Sequence, residues 1–309
     1  MVPSDMVSAY QWNYRPQSPR RPDWFTQWPG GNRIAVTINI MHEWESVPGA
    51  RTVRKRSMSP GADCTDFLAL GAREYGANFG FRRLLEVLDR CEVKATVITS
   101  GLMAEIFPET LKEAKQRGHE VACHHWDQNV HPYEYKTREE EREAILKSVA
   151  AIERATGERP LGYMSPGRRP SPYTLEVCAS LGFRWNGDYC DSDVPYIIDV
   201  NGNKFVSVGY VRPAYTDNDI LALGLAGALQ QLKDDFAAHY EEAGRHPMKF
   251  RCAMHNFNGG RPGLAKVFEN FLEYVKSHPG VWFCRCIDIA QYWLEHGSDT
   301  RIKEHKKGL

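Results

Sequence analysis

Four short stretches of the 309-residue sequence concentrate side chains able to move protons or grip polar groups. Met41-His42-Glu43-Trp44-Glu45 supplies carboxylates and an imidazole, and His124-His125-Trp126-Asp127-Gln128-Asn129 supplies two imidazoles, a carboxylate and amides. Gly162-Tyr163-Met164-Ser165-Pro166-Gly167-Arg168-Arg169-Pro170 adds guanidinium groups, and Met254-His255-Asn256-Phe257-Asn258-Gly259-Gly260-Arg261-Pro262 adds an imidazole and a further guanidinium. Carboxylates and imidazoles are general acids and bases, and a guanidinium is a planar two-pronged donor for carbonyl or carboxylate oxygen. A lone histidine after a strand is more often a satisfied structural residue. Four unrelated strand ends all carrying ionisable groups are hard to explain by core packing, and together they point to a site.

The elements that must position these groups follow from periodicity. Residues 33–40 form a β-branched apolar run bounded by Pro-Gly-Gly and a polar cluster, as a buried strand is. Further strands are expected at 94–100, 119–123, 162–165, 183–186, 204–208, 249–254 and 280–284. Helical spacing of apolar residues falls at 79–90, 107–117, 137–156, 173–181, 221–242, 263–277 and 287–296, with no periodicity over 44–65. Alternation of this kind implies parallel βαβ units, and we expect an α/β fold, an irregular (β/α) barrel of about seven parallel strands, ahead of an open doubly wound sheet. In such a barrel the site lies at the carboxyl ends of the strands, where all four stretches fall. Residues 1–32, rich in proline, arginine and aromatics, read as an extended arm lying on its own domain or on a neighbouring subunit, 33–296 as one domain and 297–309 as a polar tail.

Composition narrows the partners. Lys plus Arg and Asp plus Glu are 39 each, so no net field draws nucleic acid or an anionic membrane, and a small molecule is the expected partner. No signal-like apolar run opens the sequence and no stretch of about 18 apolar residues follows, so the expected location is cytoplasmic. The eight cysteines are scattered without a C-x-x-C pair, and we expect reduced thiols. Neither G-x-G-x-x-G nor a P-loop follows a strand, so a nucleotide has no cradle. The basic cluster Arg51, Arg54, Lys55 and Arg56 reads as a solvated loop or an intersubunit contact. His119, His131, His246 and His278 read as surface or helix-end residues.

In this order the four stretches resemble the polysaccharide deacetylase (NodB-like) family, from about residue 33 to 296. The resemblance implies an irregular (β/α) barrel and hydrolysis of amides of sugars, cyclic imides or ureides. Members commonly carry an Asp-Asp-type pair after the first strand and an H-x-x-x-H motif; one carboxylate acts as base while the other joins two histidines on a divalent ion. Here Met41 occupies the base position and Gln128 the place of the second histidine, leaving Glu43, His124 and Gln128 as the ligands of any divalent ion such as zinc. Such a set is poorer in imidazole and thiolate than a typical zinc centre, so no metal cofactor is the first expectation. The same departures make the chain similar to the metal-independent (PuuE-type) allantoinases. Glu74-Tyr75-Gly76, Gly80-Phe81-Arg82-Arg83-Leu84-Leu85, the loop Tyr189 to Tyr196 and the stretch from His255 to Trp293 look like that branch. The first-strand residues Met-His-Glu and the loop Ser-Pro-Gly-Arg differ from it, at positions that should touch substrate.

Hydrolysis of a small cyclic amide, imide or ureide needs a base, an oxyanion donor and an acid for the departing nitrogen. The expected catalytic residues are Glu43 or His124 as base and His255 as acid or oxyanion partner. Arg168 and Arg261 would bind carbonyl or carboxylate groups, Asp191 and Asp193 substrate N–H groups, and Trp126 and Tyr163 would form walls. Two rivals stand beside this reading: a metal-dependent deacetylase of an N-acyl substrate, using His125 or Gln128 as third ligand, and a non-catalytic small-molecule-binding homologue. The resemblance also implies a homo-oligomer, a tetramer.

Overall fold

The computed structural model describes residues 21–46, 67–209, 216–297 and 302–304; the 51–56 basic cluster lies outside them. Strand β1, Ile34–His42, is buried along its whole length. Its even-numbered residues from Ile34 to Ile40 pack outward against Phe81, Leu85, Phe268 and Phe271. Ala35 and Met41 face inward among Ile98, Ala122, Met164 and Trp185. Burial on both faces is what an unbroken apolar strand implies, and the alternation fixes which residues reach the interior.

Around it lie β2 (Thr96–Thr99), β3 (Glu120–Cys123), β4 (Gly162–Tyr163), β5 (Trp185–Asn186), β6 (Tyr196–Val200), β7 (Asn203–Ser207), β8 (Met248–His255), β9 (Val281–Cys284) and β10 (Ile302–Glu304). They form one sheet in the order β10-β6-β7-β5-β4-β3-β2-β1-β8, with β9 beside the first half of β1. Every pairing is parallel except that of β6 with β7. The sheet curls until its two sides approach, where Lys249 of β8 donates to the carbonyls of Val208 and Gly209 just past β7. The fold is thus the α/β, irregular and incompletely closed barrel that the alternation of elements implies.

Helices α1 (Phe67–Tyr75), α2 (Phe81–Arg90), α3 (Gly101–Ile106), α4 (Pro108–Gln116), α5 (Arg138–Thr156), α6 (Thr174–Ser180), α7 (Asp217–Ile220), α8 (Gly224–Glu242), α9 (Pro262–Lys276) and α10 (Cys286–His296) accompany the sheet. No helix among the described residues is long and apolar enough to cross a membrane. The seven described cysteines are free of disulfides.

Several elements differ from the expectations. α1 was absent from the periodicity; it runs into α2 through one π-helical turn, Gly76–Gly80. β6 is not among the expected strands, yet it forms a hairpin with β7 across Asn201 (φ 53°) and Gly202 (φ 84°), the two left-handed positions of a tight turn that matches strand twist. Of the two places expected for the arm, residues 21–32 take the chain's own domain: Phe25 and Trp28 are buried beside Trp293, and the Trp28 indole donates to the Met248 carbonyl at 2.7 Å. The expected polar tail contributes β10, parallel to β6. His119, expected at the surface or a helix end, follows the end of α4 but is buried, its Nδ1 accepting the Ala95 N–H at 3.1 Å.

Candidate active site

Side chains alternate along a strand, so the interior series through Met41, Ala122 and Ala253 continues to Glu43, His124 and His255. Register sets them level: Met41 lies opposite His255, and the β2–β3 pairing ends at Thr99 and Cys123. Glu43 Oε1 lies 3.3 Å from His124 Nε2 and 3.7 Å from His255 Nε2. Three stretches separated by more than two hundred residues thus meet at the carboxyl end of the sheet. Met41 lies just below, in the apolar interior.

Each of the three is held by a second group. His124 Nδ1 donates to the Met164 carbonyl at 2.6 Å, which turns Nε2 toward Glu43. His255 Nδ1 donates to Asp217 Oδ1 at 2.6 Å. Asp217 is fully buried and also accepts the backbone N–H groups of His255, Gly259 and Asn218 at 2.8, 2.6 and 3.0 Å. Arg73, from α1, places Nη1 3.8 Å from Glu43 Oε2 and donates from Nε to Glu45 Oε1 at 2.8 Å. On the outward face of β1, His42 stacks on Phe81 and lies 2.8 Å from Thr110 Oγ1, while its Nδ1 accepts from Asn256 Nδ2 at 3.0 Å. That chain ties the end of β1 to the end of β8.

Electrostatics assign proton states. Burial alone would raise the Glu43 carboxyl, but His255, the hydrogen bond from His124 and the Arg73 charge bring it down to about 2. Burial works against a charged His255, yet Asp217 and Glu43 raise it above the ordinary histidine value. Burial pushes His42 down to about 3 against the pull of Glu43. At neutral pH the site therefore holds an ionised Glu43 facing a His255 disposed to carry its second proton.

The donor set does not fit a tight metal centre. Gln128, the expected third ligand, turns its amide back onto the His124 carbonyl at 2.9 Å. His125 is engaged between Tyr163 OH at 3.2 Å and Tyr135 OH at 2.8 Å. Among the described residues no group of three or more His, Cys, Asp or Glu side chains is arranged to hold an ion. Arg73 instead sets its guanidinium beside Glu43.

The remaining expected residues have partners of their own. Trp126 packs with the outer cluster beneath Lys147, whose Nζ is 3.7 Å from the ring centroid. Tyr163 is buried, its hydroxyl on His125. Arg168 closes the turn Pro166–Arg168 with φ 54°. Asp191 accepts from Tyr196 OH at 3.0 Å, and Asp193 is 4.0 Å from Arg21. Arg261 donates from Nε to the Phe257 carbonyl at 3.1 Å and lies over the Tyr75 ring. Asp217 and Arg73 were not singled out in the sequence, and His42 and Glu45 entered only as members of the first stretch. A signal for Asp217 exists: Thr216-Asp217-Asn218-Asp219 is a helix-start pattern, and Thr216 bridges Ala253 in parallel, setting Asp217 beside the end of β8.

Comparison with known proteins bears on this arrangement. The sequence pattern of the family described as polysaccharide deacetylase matches residues 74–185. A peptidoglycan deacetylase of Helicobacter pylori is 30% identical over 270 residues, covering 76% of this chain and 90% of that protein. The structure of a probable polysaccharide deacetylase from Pseudomonas aeruginosa PAO1 superposes with a TM-score of 0.77 at 27% identity, over 87% of this chain and 93% of that one. The structure of PuuE allantoinase also superposes with a TM-score of 0.77, at 26% identity, over 88% and 93%.

Proposed function

The chain belongs to the polysaccharide deacetylase family, a family of hydrolases, and from that premise we propose that it hydrolyses a non-peptide C–N bond of a small cyclic amide, imide or ureide. The observation that carries this reading is the Asp217–His255–Glu43–His124 cluster, a proton-handling arrangement from which Gln128, the expected third metal ligand, is turned away onto the His124 carbonyl. In the proposed reaction the Glu43–His124 pair takes a proton from water as its oxygen bonds to the substrate carbonyl carbon. His255, steadied by Asp217, then gives its proton to the departing nitrogen as the C–N bond breaks. The likeness to PuuE allantoinase at similar chain length supports a ring-opening hydrolysis of this kind.

A second reading, deacetylation of an N-acylated sugar with a divalent ion on Glu43 and His124, is favoured by the identity to the H. pylori peptidoglycan deacetylase. One screen separates them: turnover of allantoin, hydantoins, succinimide-type imides and N-acetylglucosamine oligomers, before and after chelation, with metal content measured in the same preparation. Chelator-resistant opening of a cyclic substrate supports the first reading. Deacetylation lost on chelation and restored by zinc supports the second. Ligand binding with no turnover across the panel marks a binding protein and overturns both.

A further inference from the structure

Resting on the reading of this site as one without a resident metal, the geometry points to Arg73 as the residue that holds the cation's place and keeps divalent ions out. The carboxylate of Glu43 has two oxygens with different neighbours. Oε1 faces the two histidines at 3.3 and 3.7 Å, and Oε2 faces Arg73 Nη1 at 3.8 Å. The guanidinium is fixed from two further sides, by Glu45 at 2.8 Å and by the Phe257 ring, whose centroid is 3.8 Å from the guanidinium carbon. All three charged side chains are at least nine-tenths buried, so the guanidinium is a built part of the site and not a solvated arm. A buried carboxylate needs a compensating cation. In a metal centre the ion supplies it; here Arg73 of α1 shares that role with His255. An ion approaching Glu43 would meet a fixed positive charge on one oxygen and find only His124 and His255 beside the other. Arg73 is thus a positioning residue: it presents Oε1 to the histidines and makes the pocket hostile to a second cation.

The proposal is tested with zinc chloride alone, without substrate, by calorimetric titration of the 309-residue chain and by the visible absorption of added cobalt(II). Replacing Arg73→Met together with Glu45→Gln removes the guanidinium without stranding its second carboxylate; Glu45→Gln alone is the control. The expected result is that zinc affinity rises about tenfold or more in the double variant, a change of the size seen for groups around a metal, with tetrahedral cobalt bands appearing only there. A merely structural arginine would leave affinity unchanged or lowered on removal, and that outcome, in protein shown folded by circular dichroism, overturns the inference. Titration of the unaltered protein needs no variant: binding of one zinc with Kd below about 1 µM overturns it, and absence of such binding supports it. Failure of the hydrolase reading would appear as no turnover in the substrate screen and leaves these titrations to be judged separately.

Discussion

Glu43 and His255, 3.7 Å apart, decide which way protons can move, since each favours the charged form of the other. The raised pKa of His255 comes against burial from Asp217 and Glu43, so a reaction needing protonated His255 loses rate on the alkaline side as pH climbs through that raised value. Asp217→Asn withdraws one of the two sources. The alkaline limb of kcat/KM should move to lower pH and kcat fall by about 10²-fold or more, read from a pH–rate profile on the substrate found by screening; an unmoved limb refutes the coupling. The same shift stabilises the fold. For a histidine whose folded pKa is raised, that contribution is complete below the unfolded value of about 6.5 and is lost as pH rises through the folded one. Melting temperature in Asp217→Asn should therefore depend less on pH in that window. That Glu43, His124 and His255 would meet was legible in the sequence because strand alternation carries through the end of β8 and one residue beyond the ends of β1 and β3. The alternation then fails at His125, whose left-handed φ of 62° reverses the chain's sense, and Trp126 turns to the outer layer. Only backbone geometry, not residue type, reveals that turn.

Helices reach the site where glycine lets them. Gly76 and Gly80 sit four apart on the π-turn between α1 and α2, against the loop that leaves β8. A Cβ on Gly76 would lie 2.9 Å from the Phe257 nitrogen, and one on Gly80 would run into the Asn256 carbonyl oxygen. This close approach delivers Arg73 to Glu43 and braces the chain beside His255. Gly80→Ala should cost about 1–3 kcal/mol by overpacking and lower turnover by displacing Asn256. Gly71, in α1 with nothing within 4 Å of its would-be Cβ, should gain about 0.4–1 kcal/mol as Gly71→Ala. Urea titration of both checks the pair; equal effects would mean that the packing described is wrong. The π-turn explains why periodicity showed α2 and not α1: the register shifts between them, and the exposed Phe67 and Leu68 break the apolar stripe. The β6–β7 hairpin was readable, since Asn201-Gly202 is a strong turn signal between two apolar runs.

Across the whole molecule the two ends of the sheet divide the work. Reacting groups gather at the carboxyl ends, while residues 21–32 seal the amino ends with Phe25 and Trp28 packed on Trp293. The nine residues of β1 separate the two by roughly 25–30 Å at strand rise. Trp28 is 1% exposed and its indole N–H satisfies the Met248 carbonyl at the start of β8, so truncation removes both a large apolar contact and a buried hydrogen bond. Trp28→Ala should therefore lower unfolding free energy by about 3–5 kcal/mol. Because no contact of Trp28 reaches the site, kcat of the protein that remains folded should stay within about threefold of the unaltered chain, as for changes at the stability face of a barrel. Denaturant titration and active-site-normalised kinetics at a temperature below the lowered melting point measure the two quantities. A large fall in kcat with stability intact would show that the amino-terminal seal communicates with Glu43 along β1, and the separation of stability from chemistry would have to be abandoned.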